Sequence, residues 1–400
     1  MNSIKKITNY VFDRYKVTDK VAFFINEEYI FDHYSCVMER LDSNIFDIIL
    51  ADKFKQKKYG NLINKLTLNS WNVMFLSDVL YLRKYKVLLT HLYLGGNTAS
   101  SGTIFLRVKS IIFKLMKTIG IKWSKELPMQ YFQNILGVCN IRFMYGADAG
   151  VNSFYEYGNN YSESFDIFFC HGPRDAEITK SMFDKPIFIM GYPRYDKFFE
   201  RNGDLVYKNN LCEKYLIDNK KKTILWITTV NKHFSTIETY SERMKSLLSS
   251  YNVIVRPHPL EIDPEYDRYK KNVHDIVNSG KFIISSDPYQ EMSDLYLMAN
   301  FVFCDYGGSI FSALYMGKRI ILLNHKEVEK DLVVSSSTSM EAREYFPSIN
   351  QDEDNLFSYF DMDWTQCDKA RDEAVEHYFG KINTDASKRA ALYLTNMLRQ

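Results

Sequence analysis

Two stretches of the chain place residues able to do chemistry directly after apolar runs. In the first, Arg256-Pro257-His258-Pro259 follows Tyr251–Val255. A proline on each side stiffens the backbone around the imidazole, which holds His258 at the end of a strand. Arg256 beside it carries the planar fork of donors that suits a phosphate. In the second, the run Phe301–Cys304 ends at Asp305-Tyr306-Gly307-Gly308-Ser309, and Ile310–Met316 continues at helical spacing. Paired glycines allow close backbone approach to a ligand, and a helix start offers unpaired N–H groups to an anion. The expected ligand is a diphosphate, gathered by Arg256, Asp305, Tyr306, Gly307, Gly308 and Ser309. An ordinary strand-to-helix turn with no ligand would have the same local sequence.

Three further runs, Leu136–Phe143, Phe165–Cys170 and Pro186–Met190, end at Tyr145-Gly146, His171-Gly172-Pro173 and Gly191-Tyr192-Pro193. In an open α/β sheet ligands collect beyond the C-terminal ends of the strands, so these turns should face one cleft. Their acceptor-side candidates are Tyr145, Asp148, Arg174 and Asp175, with Glu177 close by. Arg194 and Asp196 read as structural, one holding interdomain geometry and the other a cap. Asp361-Met362-Asp363 has the form of a metal-binding triplet but lies outside any strand end, and no metal site is expected. GxxxxGK[ST], GxGxxG and HExxH are absent.

The elements that must position these residues read clearly. Val21–Ile25, Phe46–Leu50, Val73–Phe75 and Lys86–Thr90 are buried-strand runs separated by helical or polar segments. Thr223–Thr228, Val253–Val255 and Ile320–Leu323 repeat the pattern later. The alternation predicts an α/β chain with parallel sheets covered on both faces. Four hundred residues, 46% hydrophobic and 25% charged, are enough for two ordinary domains. We place the boundary near 197, giving an acceptor-side domain over 1–197 and a donor-binding domain over 198–400. The polar segment Phe198–Lys222 reads as the connection, and the last helix is a candidate to pack back on the first domain.

The net charge of +2 hides an asymmetry: residues 1–130 hold 20 Lys and Arg against 11 Asp and Glu, and the remainder 31 against 38. A basic front suggests an anionic partner. Val108, Ile111, Ile112, Leu115, Met116 and Ile119 form one helical stripe, with Lys109, Lys114, Lys117 and, further on, Trp123 off it. Such a helix (about 106–125) suits an anionic membrane surface, and packing on the domain's own sheet has the same pattern. The loop Leu94–Gly102 reads equally as a cleft wall or a mobile connection. Six cysteines without a CxxC pair, no 18-residue apolar stretch and no signal-like N-terminus predict a cytoplasmic protein, soluble or peripheral.

The acidic loop and Leu-Tyr helix, Cys304-Asp305-Tyr306-Gly307-Gly308-Ser309 and Gly317-Lys318 together resemble the donor half of the CDP-glycerol glycerophosphotransferases of teichoic acid and capsule synthesis. Gly191-Tyr192-Pro193-Arg194-Tyr195-Asp196, Arg256-Pro257-His258-Pro259 and Asp385-Ala386-Ser387-Lys388-Arg389 match in the same order. The resemblance spans roughly 140–395 and implies a GT-B-like fold, two Rossmann-like domains facing a central cleft. It implies catalytic His258 near the donor phosphates, and Glu291 and Asp294 near the donor's ribose, where helix N-terminal charge is the alternative. The family's other histidine, in a Trp-His-Gly motif, is replaced here by Tyr145. Either His171 then takes the base role from a neighbouring strand, with Asp148, Asp175 and Glu177 as alternatives, or the acceptor chemistry differs.

The implied activity moves a glycerol phosphate or related unit from a CDP-activated donor to a polymer or lipid-linked acceptor hydroxyl, releasing CMP. No cofactor and no nucleic acid are expected. A GT-B glycosyltransferase using a CMP- or UDP-sugar, and a non-catalytic polymer-binding module, are the competing readings.

Overall fold

The structure, a computed structural model, describes residues 17–56, 60–80, 82–92, 132–147, 164–231, 233–264, 268–286, 290–353 and 355–400. The basic segment 106–125 with Lys109, Lys114, Lys117 and Trp123, the loop 94–102, and Asp148 lie outside the described residues.

The early apolar runs form a seven-stranded sheet: β1 (Val17–Ile25), β2 (Phe46–Leu50), β3 (Val73–Phe75), β4 (Lys84–Thr90), β5 (Gly137–Phe143), β6 (Ile167–Cys170) and β7 (Ile187–Ile189). Its order is β3-β2-β1-β4-β5-β6-β7, every neighbour parallel. The strands are largely apolar because both faces are covered. The later runs form a second parallel sheet from β8 (Lys222–Ile227), β9 (Tyr251–Arg256), β10 (Ile283–Ile284), β11 (Phe301–Cys304), β12 (Arg319–Leu323) and β13 (Ser348–Ile349), ordered β10-β9-β8-β11-β12-β13.

The period of two along a strand divides the second core cleanly. Leu225, Ile227, Val302, Cys304, Ile320 and Leu322 pack one face with the helices Met292–Met298 and Gly308–Tyr315. Ile224, Trp226, Phe301, Phe303, Ile321 and Leu323 pack the other with the helix Thr236–Ser246. Deleting a side chain as large as the fully buried Trp226 would cost about 3–5 kcal/mol.

In each sheet the chain order reverses once, between β1 and β4 and between β8 and β11. Such switch points open a crevice at the strands' C-terminal ends, and the segments leaving β1, β8 and β11 all reach the same cleft. The segment 198–222, read from sequence as a connection, contains the end of one helix, Asp196–Arg201, and all of another, Leu205–Lys214. Phe198, Leu211 and Cys212 sink into the second core, so its polar residues are the outer face of packed helices.

The last helix, Ala386–Arg399, lies on the first sheet's core through Ala390, Ala391 and Leu394. Asp196 fixes its start, accepting from the backbone N–H of Ala386 at 3.2 Å and Ser387 at 2.7 Å, and from Ser387 Oγ at 2.5 Å. Asp363, from the acidic triplet, caps the helix Trp364–Phe379 by accepting from Thr365 N–H. Among the described residues no helix is long and apolar enough to cross a membrane, and the six cysteines are free thiols.

Candidate active site

The cleft between the sheets is lined from the second-sheet side by Thr228 and Thr229 after β8, Arg256 to Pro259 after β9, and Gly308, Ser309 and Ser312 after β11. From the first-sheet side come Tyr29 and His33 after β1, Tyr145 and Gly146 after β5, and Tyr192, Arg194 and Tyr195 after β7. These residues include two arginines, two histidines and several hydroxyls, with no carboxylate.

His258 sits where its two prolines predict, at the start of the short helix Pro259–Ile262. Its Nδ1 accepts from Leu260 N–H at 3.2 Å. That nitrogen therefore keeps its lone pair, and Nε2 carries the proton as a donor. Burial, then Arg268 and Arg256, push its pKa down to about 4, so the ring is neutral at physiological pH. Arg256 is anchored by Nη1 to the Ser285 carbonyl at 2.9 Å, which sets its guanidinium at the cleft wall.

At the turn after β11, Gly307 has φ +77°, a conformation open to glycine and strained for other residues. Gly308 opens an eight-residue helix, and its first-turn N–H groups lack partners within the helix. Asp305 and Tyr306, expected among the ligands, do not line the cleft. Asp305 is buried beneath the turn, accepting from Thr236 Oγ1 at 2.6 Å, Tyr306 N–H at 2.7 Å and Thr229 N–H at 2.9 Å. Burial lifts its pKa to about 6 against those hydrogen bonds. Tyr306 is packed under the Arg343 guanidinium, 4.0 Å from its ring centre. Both residues shape the loop that presents Gly308.

Glu291 and Asp294, expected near a ribose, are engaged elsewhere. Glu291 pairs with Lys197 at 3.0 Å and Arg201 at 2.6 Å. Asp294 accepts from the Tyr207 hydroxyl at 2.9 Å and Gln290 Nε2 at 3.0 Å, and pairs with Arg201 at 3.1 Å. Neither lines the cleft, because the helices from 196 to 214 bring their cations onto this acidic pair.

His171 also lies outside the cleft lining. It is 1% exposed, with its ring 4.1 Å from that of Tyr192, which does line the cleft. Asp175 accepts from the N–H groups of His171 and Gly172, both at 2.8 Å, and its Oδ2 lies 3.3 Å from His171 Nδ1. Asp175 is thus the cap of the helix Pro173–Met182. Gly172 is required by crowding: a Cβ there would meet the Tyr378 carbonyl oxygen at 1.9 Å. Arg174 joins the two halves through a forked pair with Glu341, at 2.6 and 3.2 Å, and also bonds Glu177 at 2.8 Å.

Tyr145 is at the cleft, 41% exposed, and beside it stands a residue absent from the sequence reading. The His33 ring lies 4.6 Å from the Tyr145 ring. Arg194, read as structural, ties the turn after β7 to the helix after β1, within the first-sheet wall, by bonding Asp32 and reaching His33. A lone histidine on an amphipathic helix gives no sequence signal of this; the contact joins residues 161 positions apart.

Residues 152–390 match the model of the CDP-glycerol:poly(glycerophosphate) glycerophosphotransferase family. The chain belongs to this family. A teichoic acid glycerol-phosphate transferase of Staphylococcus aureus (strain NCTC 8325 / PS 47) is 22% identical over 234 residues, 55% of each chain, so the match spans about half the relative's length. Structures of the wall teichoic acid polymerase TagF superpose on essentially the whole chain. One has a TM-score of 0.64 at 14% identity, covering 99% of this chain and 94% of the other. A UDP-N-acetylglucosamine 2-epimerase gives 0.53 at 13% identity, covering 95% and 96%. At such identities the likeness is one of fold, and that fold is GT-B-like: two Rossmann-like domains facing a central cleft.

Proposed function

We propose that this member of the family transfers a glycerol phosphate unit from CDP-glycerol to a hydroxyl of a cell-surface polymer or its lipid-linked primer. The acceptor oxygen forms a bond to the donor's β-phosphorus, the bond from that phosphorus to the bridging oxygen breaks, and CMP leaves with the electron pair. The acceptor's proton is released. The observation that carries this reading is the convergence of Arg256, the Nε2–H of His258 and the helix start at Gly308 on a cleft that has no carboxylate among its described lining residues.

Phosphoryl transfer of this kind is driven mainly by positioning and charge stabilisation, which is what such a donor set supplies. Arg256 offsets the charge of the diphosphate, His258 donates to a phosphoryl oxygen while staying neutral, and the backbone at Gly308 and Ser309 approaches closely. The cleft encloses about 170 Å³. That is less than the roughly 300–1,000 Å³ typical of sites that bury a drug-sized ligand, so we put the diphosphate and the transferred unit in the cleft and leave the nucleoside outside it. We place the acceptor on the first-sheet side, next to Tyr145, with an anionic membrane surface as its source.

A thermal-shift panel of CDP-glycerol, CDP-ribitol, CMP-sugars, UDP-sugars and free nucleotides tests the assignment. A donor that binds only the native state raises the melting temperature by mass action. CDP-glycerol is expected to give the largest shift; a larger shift from a UDP- or CMP-sugar transfers the reading to a glycosyltransferase.

A further inference from the structure

The least explained group in the cleft is the imidazole of His33. It projects from the helix Ile30–Met38, is 3% exposed, and lines the cleft against Tyr145. Its Nε2 lies 3.0 Å from Nη1 of Arg194, whose Nε is bonded to Asp32. A guanidinium can only donate, so Nε2 must hold its lone pair toward Arg194 and the ring proton must reside on Nδ1. That Nδ1 is buried and has no hydrogen-bond partner among the described residues. Burial and the Arg194 charge keep the ring from protonating, so it is locked as a neutral donor. It cannot act as a base without breaking its contact to Arg194.

A buried N–H left without an acceptor is destabilising, and native structures rarely keep one unless an ordered water, an ion or a ligand supplies the acceptor. The acceptor that fits is an oxygen of a ligand held in the cleft that His33 lines. We propose that His33 Nδ1–H, oriented by Arg194 and Asp32, binds a phosphoryl oxygen of the acceptor: the phosphate nearest the attacking hydroxyl of a glycerophosphate chain end. This rests on the proposed transfer reaction and adds to it a recognition group for the acceptor's own phosphate. His33 also sets an imidazole 4.6 Å from Tyr145, the residue that the resemblance aligns with the family's other histidine.

Two experiments test it. In the first, protein labelled with ¹⁵N-histidine is observed by NMR and titrated with glycerol 3-phosphate, without any donor or turnover. The result expected is that His33 shows protonated Nδ1 and bare Nε2, and that Nδ1 shifts on titration. A ring protonated on Nε2, or an Nδ1 signal unmoved at millimolar probe, overturns the proposal. Because no reaction is needed, this result stands even if CDP-glycerol proves not to be the donor. In the second, steady-state kinetics with a short poly(glycerol phosphate) primer compare His33→Asn, which keeps an N–H near the Nδ1 position, with His33→Gln and His33→Phe. Asparagine is expected to hold the primer KM within about threefold, while glutamine and phenylalanine raise it at least tenfold with donor affinity unchanged. Equal losses in all three variants, or a loss confined to donor affinity, overturns the assignment to the acceptor phosphate.

Discussion

The hydroxyl of Tyr195 donates to Ser312 Oγ at 2.7 Å, joining the turn after β7 to the helix that starts at Gly308. Both residues line the cleft, so this bond fixes the distance between its walls. Ser312 also donates to the Gly308 carbonyl at 2.9 Å, which passes the constraint to the turn itself. Tyr195→Phe is expected to lower stability by about 1 kcal/mol, the ordinary worth of one buried hydrogen bond. It should weaken donor binding by roughly two- to fivefold, in line with a loss of up to about 1 kcal/mol. Calorimetric titration together with a melting curve checks both numbers. Unchanged donor affinity would mean the bond holds the domains without tuning the site.

Gly308→Val puts a branched side chain at the first position of a cleft-lining helix. It should remove the close backbone approach that a diphosphate needs. Donor affinity is expected to fall at least tenfold, about 1.4 kcal/mol, with circular dichroism and cooperative melting retained. Full affinity in a well-folded variant would rule out the phosphate-turn assignment.

The pH behaviour of His258 follows from its depressed pKa. A solvated histidine titrates near 6.5, which would place an acidic limb in the transfer profile close to neutrality. Burial, Arg268 and Arg256 bring it to about 4, so the His258 limb should lie near pH 4. The sign for stability is the same: between about 4 and 6.5 the unfolded state takes up a proton that the native ring refuses. His258's contribution is therefore fully present above 6.5 and is lost as pH falls toward 4. In the His258→Asn variant the pH dependence of unfolding over that window should flatten. An unchanged slope would show that other groups cause it.

His171 separates packing from chemistry. It lies behind Tyr192 with no exposure of its side chain. His171→Ala is therefore expected to cost about 2–4 kcal/mol in stability, as for other large-to-small changes in a core, while transfer at saturating substrates falls by less than about tenfold. A general base typically contributes about 100- to 10,000-fold. A loss of that size without a change in melting would return the base role to His171.

The regular elements were legible because burial on both faces writes itself as largely apolar runs. Phe301–Cys304 and Phe46–Leu50 became strands with the bounds the residues suggest. The tight turn between β11 and the next helix was legible from Gly307-Gly308, and the loop at His258 from its prolines. What could not be read was which partner each polar side chain finds across the chain. Glu291 and Asp294 look poised for a ligand until Lys197 and Arg201 are folded onto them. Asp305 looks like a ligand residue until Thr236 and two backbone N–H groups claim it. His33 is the converse: an unremarkable helical histidine that becomes a cleft group only because Arg194 and Tyr145 arrive from distant segments. β13, two residues long, is too short to leave a periodic signal.

The most direct test of the transfer reaction is ³¹P NMR of the protein with CDP-glycerol and a lipid-linked or short poly(glycerol phosphate) primer. The account predicts that the two diphosphate resonances of the donor disappear together. One CMP monoester and one new phosphodiester should form for each donor consumed, at a rate that depends on the primer. CMP appearing without a matching phosphodiester, or a donor left intact while a CMP- or UDP-sugar is consumed under the same conditions, would contradict it.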